Sequence, residues 1–214
     1  AKKEVSGDIG IEAMIAGPSE VLIVADKSSN PEWLASDLLG QAEHDQLAQC
    51  ILISKNKNVL EKTKKELFKQ LKKLPRLLIA KKSLTENGVL IYANSDKKIL
   101  EITNKIGPEH LELNVKNYKS FVAKIKNAGS ICLGKYAVMA MTDYGAPGSN
   151  HVLPTNMTSK FSSGLNVSEF MKKISYITLS KKGIDKLGPS AITLANYEGL
   201  QGHAQSIIKR IRRK

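Results

Sequence analysis

The chain has four histidines, His44, His110, His151 and His203, and each stands near a group that could share chemistry with it. Gln41-Ala42-Glu43-His44 sets an amide and an imidazole three residues apart, which on a helix puts them on one face. Imidazole is a preferred zinc ligand and an amide oxygen a less common one; the same two residues also read as an ordinary surface pair. Gly107-Pro108 forces a turn before Glu109-His110, at the mouth of the apolar run that includes Leu111 and Leu113. A carboxylate beside an imidazole can serve as acid and base near neutral pH, although an exposed loop histidine would look the same. Between Asp143 and Thr155, Gly145, Pro147, Gly148 and Pro154 shape a long connection from which Asp143 and His151 project, and long ordered loops often carry function. Glu198 and His203 lie on a terminal helical stretch, where a five-residue separation turns their side chains about 140° apart on a regular helix.

Something must position these residues, and the pattern around them alternates strand and helix. Val21 to Ala25 is a continuous apolar run, as in a buried parallel strand. Asn30-Pro31 reads as N-cap and first residue of a helix reaching about Leu47. A strand at Cys50 to Ser54 and an amphipathic helix from Asn58 to Leu74, stopped by Pro75, come next. Then follow a strand at Val89 to Ala93, a helix capped by Ser95 and running to about Asn104, and a short strand at Leu111 to Leu113. A helix from Asn117 to Asn127 and a strand from Ser130 to Leu133 complete the series. This order predicts an α/β fold with a mostly parallel, doubly wound, Rossmann-like sheet. From about Asn166 the character changes to a small helical tail, with helices at Val167 to Ile177, Lys181 to Leu187 and Pro189 to Arg210.

Composition removes several classes of function. Apolar residues make up 42% of the 214, enough for a core, yet no run approaches the 18 or so a membrane span needs. The start, Ala1-Lys2-Lys3-Glu4, lacks the apolar stretch of a signal peptide and does not begin with Met, which suggests a fragment. Cys50 and Cys132 sit in strand-like runs and read as buried free thiols, which fits a reducing cytoplasm. The net charge of +13 raises nucleic acid as a partner, but the lysines spread along helix faces and the 5% of aromatics do not interleave with them. The dense cluster Lys209-Arg210-Ile211-Arg212-Arg213-Lys214 suits a solvated helix end. There is no G-x-G-x-x-G after a strand, so no dinucleotide-binding residue can be placed.

Six segments stand in the order and spacing of one family: Ala16-Gly17-Pro18-Ser19-Glu20, Gln41 to Asp45, Gly107 to Leu113, Asn150 to Thr155, Phe161-Ser162-Ser163-Gly164-Leu165, and Glu198-Gly199-Leu200 to His203. Over essentially its whole length the chain resembles the C-terminal half of histidinol dehydrogenase, without that family's N-terminal half. The resemblance implies zinc ligands at Gln41, His44, Asp143 and His203, and acid–base residues at Glu109 and His110. It implies a substrate-binding set of Ser19, His110, His151 and Glu198 together with the four ligands. Residues 1–17 then correspond to the end of the NAD-binding domain, 18–165 to a partial zinc- and substrate-binding domain, and 166–214 to a tail that completes the partner subunit's site in a homodimer. The implied activity is the NAD-linked oxidation of L-histidinol through the aldehyde to L-histidine in the cytoplasm, with Zn and NAD as cofactors and the NAD-binding residues upstream of Ala1. Two other readings are a paralogous zinc and NAD alcohol dehydrogenase of the same fold, and a basic nucleic-acid-binding fragment.

Overall fold

The computed structural model describes residues 17–145, 148 and 150–211. The expected end of the NAD-binding domain, apart from Gly17, and the last three residues of the basic cluster lie outside the described residues. Five strands, β1 (Glu20–Ala25), β2 (Gln49–Ser54), β3 (Gly88–Tyr92), β4 (His110–Asn114) and β5 (Ser130–Leu133), form one all-parallel sheet in the order β3-β2-β1-β4-β5. That is the doubly wound order, reversing between β1 and β4.

The strands form where the apolar runs predict, because a parallel sheet covered on both faces needs side chains that are buried whichever way they point. Val21, Ile23, Ala25 and Leu52 join one core with Leu34, Leu38 and Leu39 of helix α1 (Pro31–Ala42) and Leu60, Leu67 and Leu71 of α2 (Lys57–Leu71). Leu22, Val24, Ile53, Leu111 and Leu113 join the other, with Ile99 of α4 (Asp96–Ile106) and Phe121 of the short α5 (Lys119–Val122). Asn30, Asn56 and Ser95 each cap a helix by accepting backbone N–H groups with their side chains, and Gly107 ends α4 in a left-handed conformation at φ 61°.

Several expectations are corrected. The first helix ends at Ala42 rather than about Leu47: the Glu43 and His44 N–H groups bond back to Leu39 and Gln41, and Asp45 accepts from the Leu47 N–H in a turn. Helix α3 (Leu77–Asn87) carries no start signal in the sequence: Arg76, between Pro75 and Leu77, stands at the N-cap position and makes no side-chain cap hydrogen bond. The expected helix at Asn117–Asn127 is only the four residues of α5. Val167–Ile177 is not helical beyond a 3₁₀ turn at Val167–Phe170; Met171, Ile174, Tyr176 and Ile177 are all exposed, so no packed face supports a helix.

The chain divides into two compact units, one ending at Phe170 and the other beginning at Met171. The first unit also contains α6 (Met139–Tyr144), and the second is a helical hairpin of α7 (Lys181–Tyr197) and α8 (Gln201–Ile211). Pro189 lies inside α7 rather than at the start of a separate helix. Gly188 lets the two helices approach closely, since a Cβ there would stand 2.2 Å from Ile211 Cδ1 of α8 and force that side chain to shift.

Candidate active site

The carboxyl edge of this sheet is where ligands of open α/β folds usually bind, and a crevice of about 440 Å³ does lie there, lined by Asp26, Lys55, Asp96 and Lys116. The residues singled out for chemistry sit at the other end. Ser19 and Glu20 lead into β1, and Glu109 and His110 lead into β4, so all four occupy the amino edge beside the strand reversal. Helix α1 runs back from the carboxyl edge and delivers Gln41 and His44 to the same end.

Register explains how the pairing is built. Val21 faces His110 across the β1–β4 ladder, which sets Glu20 beside Glu109. Each glutamate then accepts the other's backbone N–H: Glu20 N to Glu109 Oε2 at 3.1 Å, and Glu109 N to Glu20 Oε2 at 3.2 Å. The Met157 N–H also donates to Glu20 Oε2, at 3.4 Å. Met157 and its neighbour Asn156 both hold positive φ, 62° and 53°, a conformation that costs non-glycine residues energy. Gly129 allows the approach of the next strand, because a Cβ there would meet the Glu109 carbonyl oxygen at 2.7 Å.

Glu109 and His110 are only 6% and 5% exposed, with Glu109 Oε1 3.6 Å from His110 Nε2. Burial pushes the Glu109 carboxyl up to about 7; hydrogen bonds from the Glu20 backbone and Ser19 side chain pull it down, and the charges of Glu20 and Asp143 push it up again. Burial also drives His110 down to about 4, with Asp143 opposing and His44 and His151 assisting. His110 is therefore a neutral imidazole at neutral pH, able to take a proton, and its Nδ1 is buried without a hydrogen-bond partner. Glu109 is poised between proton donor and acceptor at the same pH. Glu20 is raised as well, by burial first, and its Oε1 is also without a partner; sequence reasoning passed over Glu20, though it closes the first of the six matched segments.

Of the expected residues, the first unit carries Ser19, Gln41, His44, Glu109, His110, Asp143 and His151. Asp143 and His151 act on the same His110 charge as His44 does, which places these four side chains in one neighbourhood. Asp143 is not in the loop, as expected, but in the last turn of α6, half-buried; Ala146, Pro147 and Ser149 of that loop lie outside the described residues. Glu198 and His203 belong to the second unit and are exposed. They do not share one helix: Glu198 ends α7, Gly199 turns the chain at φ 73°, and His203 stands in the first turn of α8. Among the described residues, no three His, Cys, Asp or Glu side chains converge as a metal site. The expected donors are divided between the units and include an amide. Gln41 is 1% exposed, and its Oε1 has no hydrogen-bond donor, so this buried oxygen is available to a cation. With the imidazole and carboxylate nearby, the donor chemistry fits zinc. Cys50 and Cys132 are buried thiols, both pushed up to about 12 chiefly by burial, and offer no reactive sulfur.

The family model of histidinol dehydrogenase matches residues 1–211. The chain belongs to the histidinol dehydrogenase family. It is 72% identical over 214 residues to the histidinol dehydrogenase of Pelagibacter ubique, covering 100% of this chain and 50% of that protein. It is 47% identical over 207 residues to that of Listeria monocytogenes serovar 1/2a, covering 97% and 48%. The crystal structure of histidinol dehydrogenase from Elizabethkingia anophelis superposes with a TM-score of 0.85 at 40% identity, covering 92% of this chain and 45% of that one. The chain thus spans about half the length of the relatives it matches.

Proposed function

We propose that this chain is the metal- and base-bearing half of an enzyme that oxidises L-histidinol through the aldehyde to L-histidine. The observation that carries the reading is the buried Glu109–His110 pair, one group balanced near neutrality and the other held neutral. Burial keeps His110 unprotonated at neutral pH, and the nearby Asp143 charge, which favours its protonated form, supports its taking the alcohol proton as the carbinol is oxidised. Glu109 takes a proton from the water that adds to the aldehyde, with Ser19 and the Glu20 N–H fixing its carboxylate. Gln41, His44, Asp143 and His203 would hold zinc, and Ser19, His151 and Glu198 would meet the substrate's polar groups. Zinc would anchor the substrate's amine and imidazole, and NAD, held by the half of the family's chain outside this sequence, would accept the hydrides.

The second unit would deliver Glu198 and His203 to the site of a partner subunit. Supporting this, Leu187, Leu194 and Leu200 are exposed on a hairpin too small to bury its own apolar positions. The domain division at 165–166 and the cytoplasmic location belong to the same proposal.

Half-reaction kinetics test the chemistry. In the complete enzyme, Glu109→Gln should slow aldehyde oxidation by about 10²–10⁴-fold and alcohol oxidation much less. Equal losses would leave Glu109 a positioning role. Mixing His203→Ala and His44→Ala subunits tests the sharing: activity should return in heterodimers, where one site collects both lesions and the other none.

A further inference from the structure

Glu109 stands in the bend before β4, one step outside the ladder that begins with Val21 facing His110. Its carbonyl accepts the Ser130 N–H of β5 at 2.8 Å, which fixes one side of the residue. Its N–H goes to a side chain, Glu20 Oε2, at 3.2 Å, and Glu20 returns its own N–H to Glu109 Oε2 at 3.1 Å. The two bonds do different things. The Glu20 side chain holds the main chain of Glu109, and the Glu20 main chain holds the Glu109 carboxylate. With Oε2 engaged in this way, Glu109 Oε1 stands 3.6 Å from His110 Nε2. Glu20 is itself a fixed post. It opens β1, the middle strand of the sheet, faces Gln49 in the β1–β2 ladder, and is followed by the wholly buried Val21. The Gln49 N–H bonds to the carbonyl of the preceding Ser19 at 2.9 Å. At 1% exposure the Glu20 side chain is packed in place.

We propose that Glu20 is a positioning residue for the reaction: its carboxylate sets the main chain of Glu109 against β1, so that the Glu20 N–H engages Glu109 Oε2 and Oε1 is presented beside His110. This rests on the reading of Glu109 as the base of aldehyde oxidation. The hold depends on reach. Both groups on Glu20 Oε2, the Glu109 and Met157 N–H groups, are neutral backbone donors, and an amide oxygen in the same place can accept from them as a carboxylate does. The other oxygen, Oε1, is buried and receives no hydrogen bond, so it adds nothing to the hold. The Met157 contact extends the grip to the turn at Asn156 and Met157, whose neighbour Thr155 accepts the Gly17 N–H on its hydroxyl at 2.7 Å. Glu20 thus ties the entry of β4 and this turn to the middle of the sheet, and a base carried in a bend takes on the rigidity of a central strand.

Three substitutions in the complete enzyme separate reach from charge, each measured at its own pH optimum so that a changed charge beside Glu109 does not enter. Glu20→Ala removes the acceptor and should lower kcat for aldehyde oxidation about 10–100-fold, with KM close to wild type and alcohol oxidation much less affected. Glu20→Gln keeps an acceptor for the two N–H groups and should recover most of that rate. Glu20→Asp keeps the charge but falls one methylene short, and should behave like Glu20→Ala. Wild-type kcat in folded Glu20→Ala, equal losses in both half-reactions, or a rate kept by Glu20→Asp and lost in Glu20→Gln overturns the proposal. A merely structural Glu20 would lower the unfolding midpoint in the variants and leave kcat of the folded enzyme unchanged. If Glu20→Ala does not fold, the other two decide: Glu20→Gln must exceed Glu20→Asp by about tenfold or more in aldehyde oxidation, and a smaller gap overturns the proposal. Glu109→Gln separates the failures. A wild-type aldehyde rate there removes the base reading itself, whereas loss there with wild-type kcat in Glu20→Ala removes only the positioning role.

Discussion

At the carboxyl edge of the sheet, Asp26 accepts hydrogen bonds from the Ser28 backbone and hydroxyl and from the Lys116 N–H, with Lys55 adding an attractive charge. Partial burial raises its pKa, but these partners outweigh it and the net shift is downward. At the amino edge, Glu109 and Glu20 face each other, and the backbone N–H groups, Ser19 and the Lys160 charge that oppose burial do not outweigh it, so both are raised. The two edges share strands and differ in what meets the carboxylates. Where hydroxyls, amides and a lysine gather, an acid is a fixed anion and a structural part. Where burial exceeds its compensation, an acid keeps a movable proton, which is the condition for acid–base work.

The largest effect that separates the edges is expected in turnover. His110→Ala in the complete enzyme should cost about 10²–10⁴-fold in alcohol oxidation, while Lys116→Ala at the carboxyl edge should leave steady-state rates close to wild type. A comparable loss at Lys116 would give the carboxyl-edge crevice a catalytic share and break the contrast.

Stability against pH comes next. The folded pKa of Glu109 is about 7 against an ordinary 4.5, so the folded state binds its proton more tightly. Stability from this group is therefore present below about pH 4.5 and declines as pH rises to about 7, by up to on the order of 3 kcal/mol. Glu109→Gln should raise the thermal midpoint at pH 8 and change it little at pH 4. A midpoint difference independent of pH would mean Glu109 is not held protonated by its surroundings.

Asp26 should show the opposite sign and the smallest size. Its depressed pKa contributes stability above the unfolded value of about 3.8 that is lost as pH falls through the lower folded value. Asp26→Asn should cost about 1 kcal/mol or less at pH 7, because the site is open to solvent, with the deficit shrinking on acidification. Denaturant titrations at pH 7 and pH 3 read it directly; a deficit that grew at pH 3 would reverse the assignment.

Legibility followed the same physics. Continuous apolar runs such as Val21 to Ala25 announce buried parallel strands without any partner in view, and Asn30-Pro31 and Ser95 announce helix starts through local hydrogen bonding. Helix α3 is not marked in the sequence because it begins without a cap, and the expected helix at Val167–Ile177 fails beyond its first turn because apolar residues form a helix only if a surface receives them.

The sequence by itself determined the strand order along the chain, the Glu109–His110 adjacency and, through six segments in register, the family. It could not show that Glu20 lies against Glu109, since 89 residues separate them and the β1–β4 register alone brings them together. Nor could it show that Asp37 and Glu112 meet in one dry region, because each alone is an ordinary polar residue at a helix or strand position. Burial and the absence of a partner are properties of the packed molecule, and they distinguish a carboxylate that holds structure from one that moves a proton.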